Sequence, residues 1–221
     1  MYDIIFISYN ELTADENFAR LKERFPLAKR VNGVEGIHQA HIAAAKKSFT
    51  KMFWVVDADA IILDTFKFNY IVPEWDLDAV HVWRSRNPMN GLEYGYGGVK
   101  LLPKKLTIDM RTDTIDMTMN ISSKFNAMNE VSNITAFNTN EFNTWRSAFR
   151  ECCKLAIINN AEASERLDIW CSIANGAYAE QALSGANAGR EYGEIYGIDP
   201  VEIARINDFN WLLAQWLMEI F

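Results

Sequence analysis

A chain of 221 residues is long enough to bury one sizeable core, and 49% hydrophobic with 23% charged residues lies near the globular average, which excludes a disordered or fibrous protein. With 22 Lys and Arg against 29 Asp and Glu the net charge is -7, so at long range the surface repels a nucleic-acid backbone, while a local basic groove stays open. The 3 cysteines, two of them adjacent at Cys152 and Cys153, make neither a disulfide framework nor CxxC zinc pairs, and read as buried thiols in a reducing compartment.

At the N-terminus Asp3 stands where a signal peptide needs positive charge, and the apolar run that follows is strand-sized. The spacing predicts a first strand over Asp3 to Ser8 and a helix over Asp15 to Phe25, with Phe18, Leu21 and Phe25 on one face and Pro26 as its stop. A second strand is expected over Ala28 to Val31. Ile37 to Phe49 reads as a helix whose Ala40, Ala43, Ala44 and Ala45 permit close approach to a sheet. Phe53 to Val56 is a buried third strand that ends abruptly in Asp57-Ala58-Asp59. Ala79 to Trp83 predicts a further strand, Asn87 to Gly91 a turn-rich loop, and Val99 to Leu102 a return strand before Pro103. Such alternation is the pattern of an α/β fold with a wound, mostly parallel sheet over residues 1–105.

Beyond that the pattern weakens, and Leu106 to Asn133 is expected to be irregular or to form short strands. Phe142, Trp145, Phe149, Cys152 and Ala156 then recur at helical spacing, with Arg146, Arg150 and Lys154 as a cationic stripe on another face. Further helices are expected over Ser164 to Ile173 and Val201 to Glu219, separated by Gly-bearing segments such as Ser184 to Gly189. Residues 106–221 are thus read as a helical C-terminal lobe of the same domain. The apolar stretch from Trp211 to Phe221 is too short for a membrane span and is interrupted by Gln215 and Glu219, and a cytoplasmic location is expected.

Asp57 and Asp59 stand at i and i+2 beyond an apolar strand, where extended backbone points both side chains to one side. Two carboxylates so placed reach one hard cation, Mg²⁺ or Mn²⁺, that shares its coordination with a diphosphate and neutralises a departing nucleotide diphosphate. The bland alternative is a solvated loop or a helix cap. Four bulky residues immediately before the turn favour the metal.

These elements resemble glycosyltransferases of the GT-A fold, in particular the short ones of tailed phages and bacteria. The resemblance rests on Phe6 to Glu11, the run from Ala44 to Val56, Asp57-Ala58-Asp59 and the return strand Gly95-Tyr96-Gly97-Gly98-Val99, and covers roughly the first 105 residues. It implies that residues 1–105 bind a nucleotide-sugar donor, with UDP as the default, and that 106–221 form the acceptor side. The loop Ser8, Tyr9, Asn10 would cradle the nucleoside, with Arg30, His41, Ala58, Gly97 and Gly98 around the donor, and the acids would bind metal and the donor's ribose or sugar. Such enzymes often add a His ligand from the C-terminal half, yet the only histidines are His38, His41 and His81, so diphosphate and water would complete the ion's shell.

His38 and His41 share a helix face and suit packing or contact with ligand polar groups better than metal ligation; His81 reads as a hydrogen-bonded strand residue. Tyr94 to Gly98 is neither a Walker loop nor a Rossmann fingerprint, but its glycines allow backbone to approach a sugar or diphosphate. Glu151, beside Arg150 on a predicted helix, is the candidate base for the acceptor hydroxyl, with Glu141 and Asp113 as rivals. The resemblance implies a glycan, a lipid-linked sugar or a hydroxymethylated DNA base as the acceptor. For DNA, Arg84, Arg86, Arg146, Arg150 and Lys154 would form the basic groove, and Trp83 or Trp145 would stack on a flipped base. Two other classes compete: a haloacid-dehalogenase-like phosphatase, whose marks beyond the DxD are absent or displaced, and a non-catalytic module binding a nucleotide-sugar or a protein.

Overall fold

A computed structural model of the chain describes residues 1–95, 97–111 and 117–220; Tyr96 and Asp113 lie outside them. The chain divides into two compact units, one of Met1–Asn87 and Glu93–Ala136, the other of Pro88–Leu92 and Phe137–Phe221. The boundary therefore falls near residue 136 and not 105. The reason is an eleven-residue strand in the stretch expected to be irregular, which pairs back into the first unit's sheet.

In chain order the first unit contains β1 (Asp3–Ser8), α1 (Ala14–Arg24), β2 (Lys29–Asn32), α2 (Ile37–Lys47), β3 (Met52–Asp57), β4 (Ala60–Ile62), β5 (Val80–Arg86), β6 (Glu93–Tyr94), β7 (Val99–Pro103), α3 (Lys104–Ile108), α4 (Met117–Ile121) and β8 (Phe125–Thr135). The strand order is β2-β1-β3-β7-β5-β8-β4, with β6 paired to β5. β2, β1 and β3 run parallel, joined by the crossover helices α1 and α2, whereas β7 is antiparallel to both β3 and β5. β8 lies parallel to β5 and antiparallel to β4. The sheet is mixed, not mostly parallel: strands that re-enter from the opposite direction need no crossover helix, and only the first winding has them.

Strand period 2 sorts the core onto the two faces of this sheet. On one face Met52, Trp54 and Val56 of β3 join Phe6, Trp83, Val99 and Leu101 with Phe66 and Phe68. Trp54 sits edge-on to Phe66 and Phe68, with ring centroids 5.8 and 5.1 Å away, and 4.5 Å from Trp83, in the geometries aromatic quadrupoles prefer. On the other face Phe53 and Val55 pack with Ile5, Val82 and Leu102 against Ala44 and Ala45 of α2. Those alanines are fully buried, which agrees with the expected close approach of α2. Burial on both faces is why β3 reads as an unbroken apolar run.

The second unit is helical: α5 (Glu141–Ile158), α6 (Ala161–Ser172), α7 (Ala179–Tyr196), α8 (Pro200–Ala204) and α9 (Phe209–Ile220). α5 and α6 each begin at an Asn whose side-chain oxygen accepts the N–H three residues on, Asn143 for Asn140 and Ala163 for Asn160. The helix expected from Val201 to Glu219 is broken into α8, a 3₁₀ turn at Arg205–Asn207 and α9, because Asp208 caps the backbone N–H groups of Asn210 and Trp211 and starts a new helix. Ser184 to Gly189, expected to separate helices, is the middle of α7. Among the described residues no helix is long and apolar enough to cross a membrane.

Candidate functional site

The acidic turn is built where β3 leaves the sheet. Its backbone is held on both sides, since Asp57 N–H donates to Gly98 C=O at 3.0 Å and Asp59 C=O accepts from Ala136 N–H at 2.7 Å. Between them Ala58 is buried, and its carbonyl accepts from Asn17 Nδ2 of α1 at 2.8 Å. Ala58 thereby anchors the turn to α1. Asp57 and Asp59 are both half-buried.

A residue absent from the sequence expectations dominates the charge here. Lys100 of β7 is buried, and its ammonium donates to Asp57 Oδ1 at 2.9 Å and Oδ2 at 2.8 Å and also to Gly97 C=O. Register explains the reach: Lys100 lies opposite Val55, and Asp57 follows two residues later on the same face. A lone cation inside the apolar run Val99 to Leu102 was the signal in the sequence, because a buried ammonium requires a buried anion. Gly97 meets the ammonium with a backbone carbonyl at φ 87°, a conformation costly for any residue with a Cβ.

Glu11 is the second unanticipated group. Its carboxylate turns back to accept Tyr9 N–H at 2.7 Å, and its charge bears on both acids of the turn. Burial pushes the Asp59 carboxyl up to about 7, with Asp57 and Glu11 adding to the rise and Lys100 opposing it. Burial also raises Asp57, against the pull of Lys100.

Around the turn, the carboxyl ends of β1 and β2 carry a polar network. Ser8 is buried; its hydroxyl donates to Asn32 Oδ1 at 2.7 Å and accepts from Arg30 Nε at 2.8 Å. Arg30 also pairs with Asp15, so its charge is committed to the protein. Tyr9 and Asn10 are exposed beside it. Gly98 permits close packing, since a Cβ there would meet Asn133 Oδ1 at 2.7 Å. Ser8, Tyr9, Asn10, Arg30, Asp57, Asp59, Gly97 and Gly98 thus all belong to the first unit.

His41 departs from the donor-binding role expected of it. It is 2% exposed, and its Nδ1 lies 2.8 Å from Ile37 C=O, as the donor in the neutral ring. Burial, then the Lys100 charge, lowers it to about 3. His38 Nε2 accepts from Asn120 at 2.9 Å, and His81 Nε2 from Asn126 at 3.2 Å, as hydrogen-bonded structural residues.

The expected acceptor residues fare unevenly. Trp83 is 1% exposed in the core among Trp54, Phe66 and Tyr70, and Trp145 is 1% exposed with Nε1 donating to Glu219 at 2.8 Å. Neither ring is open to stack on a base, because each completes an apolar cluster of its own unit. Trp83→Phe is accordingly expected to cost about 1–2 kcal/mol in urea denaturation without altering any acceptor affinity. Arg84 and Arg86 do project from β5, bonded to Asn129 and Glu93. In the second unit Arg146 lies over the rings of Phe142 and Phe209, and Arg150 donates to Asn207 at 2.7 Å. Glu151 is half-buried on α5, next to Cys152.

The donor set suits a divalent cation in part. Asp59 offers a half-buried carboxylate in a locally acidic setting, whereas both oxygens of Asp57 are engaged by Lys100. Among the described residues no three His, Cys, Asp or Glu side chains form a group able to hold a metal. An ion at Asp59 would complete its shell with ligand oxygens and water.

No protein-family model matches the chain, and no curated protein matches it. Among solved structures, the crystal structure of HddC from Yersinia pseudotuberculosis is similar with 16% identity and a TM-score of 0.36, over 62% of this chain and 92% of that one.

Proposed function

We propose that the protein is a glycosyltransferase of the GT-A kind, moving a sugar from a nucleotide-sugar, UDP-linked by default, to a hydroxyl acceptor in the cytoplasm. The observation that carries this reading is the acidic turn at the carboxyl end of β3, within the parallel trio β2-β1-β3 and beside the loop after β1. Ligands of wound sheets bind outside the carboxyl ends of their strands, and a turn with two acids there is suited to a phosphorylated sugar.

Each group then has a task. Exposed Tyr9 and Asn10 meet the nucleoside, and the Ser8, Arg30 and Asn32 network fixes their loop. The backbone of Gly97 and Gly98 lines the approach of the diphosphate. Asp59 holds Mn²⁺ or Mg²⁺, which when bound supplies Lewis-acid neutralisation of the departing diphosphate. With Trp83 and Trp145 enclosed, a flipped DNA base loses both expected stacking partners, so a glycan or lipid-linked sugar is the proposed acceptor class.

A thermal-shift panel of nucleotide-sugars with and without Mn²⁺ tests the donor. A matching donor near saturation should raise Tm by about 5 °C or more with the ion present. Should no nucleotide-sugar stabilise the protein in either condition, the assignment fails.

A further inference from the structure

We propose that Lys100 divides the acidic turn between two cations: Asp57 is the fixed counter-ion of the Lys100 ammonium, and Asp59 alone among the pair is left to a divalent ion. The proposal rests on the donor-site reading above and adds a positioning residue to it. Its basis is geometric. The ammonium has three hydrogens, and all three are placed, on Asp57 Oδ1, Asp57 Oδ2 and the carbonyl of Gly97. The Lys100 side chain is 4% exposed, so water cannot replace Asp57 as its partner, and opening the pair would strand a buried charge. The other carboxylate whose charge bears on the turn, Glu11, is turned back to accept Tyr9 N–H at 2.7 Å.

A divalent ion seeking Asp57 would meet a like charge bonded to both of its oxygens. The free protein thus presents one protein carboxylate where the sequence shows two, which makes a weak cation site. Ion affinity then grows when a diphosphate supplies further oxygens, so that ion and donor are retained together. Lys100 sets that dependence by holding Asp57 out of the first coordination shell.

Binding of Mn²⁺ alone, read by the electron paramagnetic resonance signal of the free ion, tests this without any donor. Wild type should bind weakly, with Kd on the order of 10⁻⁴–10⁻³ M. Lys100→Met frees both carboxylates and should tighten Mn²⁺ by about tenfold, the change one added charged ligand gives at 1.4 kcal/mol. The double variant Asp57→Asn with Lys100→Met should return to the wild-type affinity, and Asp59→Asn should lose the ion. A folded Lys100→Met protein with unchanged or weaker Mn²⁺ binding would overturn the proposal. If Lys100→Met does not fold, the double variant decides: retained affinity supports the division, and loss refutes it. Failure of the donor-site reading shows separately, as absent stabilisation by nucleotide-sugars.

Discussion

Asp59→Asn is expected to abolish stabilisation by the nucleotide-sugar with Mn²⁺ and to lower sugar transfer by about 10²–10³-fold, the usual loss when one preorganised charge-stabilising group is removed. The same substitution should make the protein more stable above neutral pH. In the folded protein burial, Asp57 and Glu11 raise the Asp59 carboxyl from 3.8 to about 7. A group that holds its proton more tightly when folded contributes stability that is complete below pH 4 and is lost as pH rises through about 7. Asn never ionises, so the variant escapes that loss. The unscreened conversion is about 4 kcal/mol. Because Asp59 is half-buried, solvent screening reduces it to about 1–2 kcal/mol. At pH 8 the gain corresponds to about 2–8 °C in the first unit's transition, and at pH 4 to almost nothing. Thermal melts at both pH values, with and without donor and Mn²⁺, give the result. A stabilised variant blind to donor is a signature that misfolding cannot produce. A variant that still answers to donor, or that melts lower than wild type at pH 8, would remove Asp59 from the site.

How much of this was legible in the sequence depends on the range of the interaction involved. β3 and its acidic exit were plain, because four consecutive bulky residues can only be buried on both sides, and two acids directly after them mark an edge. The helices α1, α2 and α5 followed from apolar period, within one or two residues of their ends. β8 did not, since Phe125–Thr135 mixes exposed polar and buried residues. Its pairing with β5 shifts register on both sides of Arg84, so no clean alternation survives along the strand. Missing β8 misplaced the unit boundary as well. Trp83 and Trp145 were offered as stacking partners for a flipped base, but Trp83 alternates with exposed Arg84 and points into the core, and Trp145 falls on the buried face of α5. Lys100 stood out in the sequence as a lone cation inside an apolar run, but its pairing with Asp57 required knowing that β7 returns antiparallel beside β3, a long-range fact. The site's acids and a buried cation were therefore each visible from the sequence, and their pairing was not.

Glycines 185 and 189 of α7 were the other local misreading, and Gly189→Ala is the sharpest test of what they do. On an exposed helix surface this change stabilises by about 1 kcal/mol, since Gly is the poorer helix former. Here a Cβ on Gly189 would stand 2.1 Å from the carbonyl oxygen of Phe149, and one on Gly185 2.3 Å from that of Trp145. Both obstacles are backbone of α5, which cannot swing aside as a side-chain tip could. Spaced four residues apart, the glycines form a bare ridge on α7 that α5 occupies, and the absent side chains set the interhelical distance. Separating the helices to admit one methyl would also loosen Phe149, Cys152 and Cys153, all buried on α5. Overpacking against fixed backbone should exceed the usual range, so Gly189→Ala is expected to destabilise the second unit by at least about 3 kcal/mol. Gly193→Ala, whose nearest obstacle is the Cys153 carbonyl at 2.6 Å, should cost less. Urea denaturation followed by tryptophan fluorescence ranks the variants, and a Gly189→Ala protein as stable as wild type would show that α5 and α7 do not pack backbone to backbone.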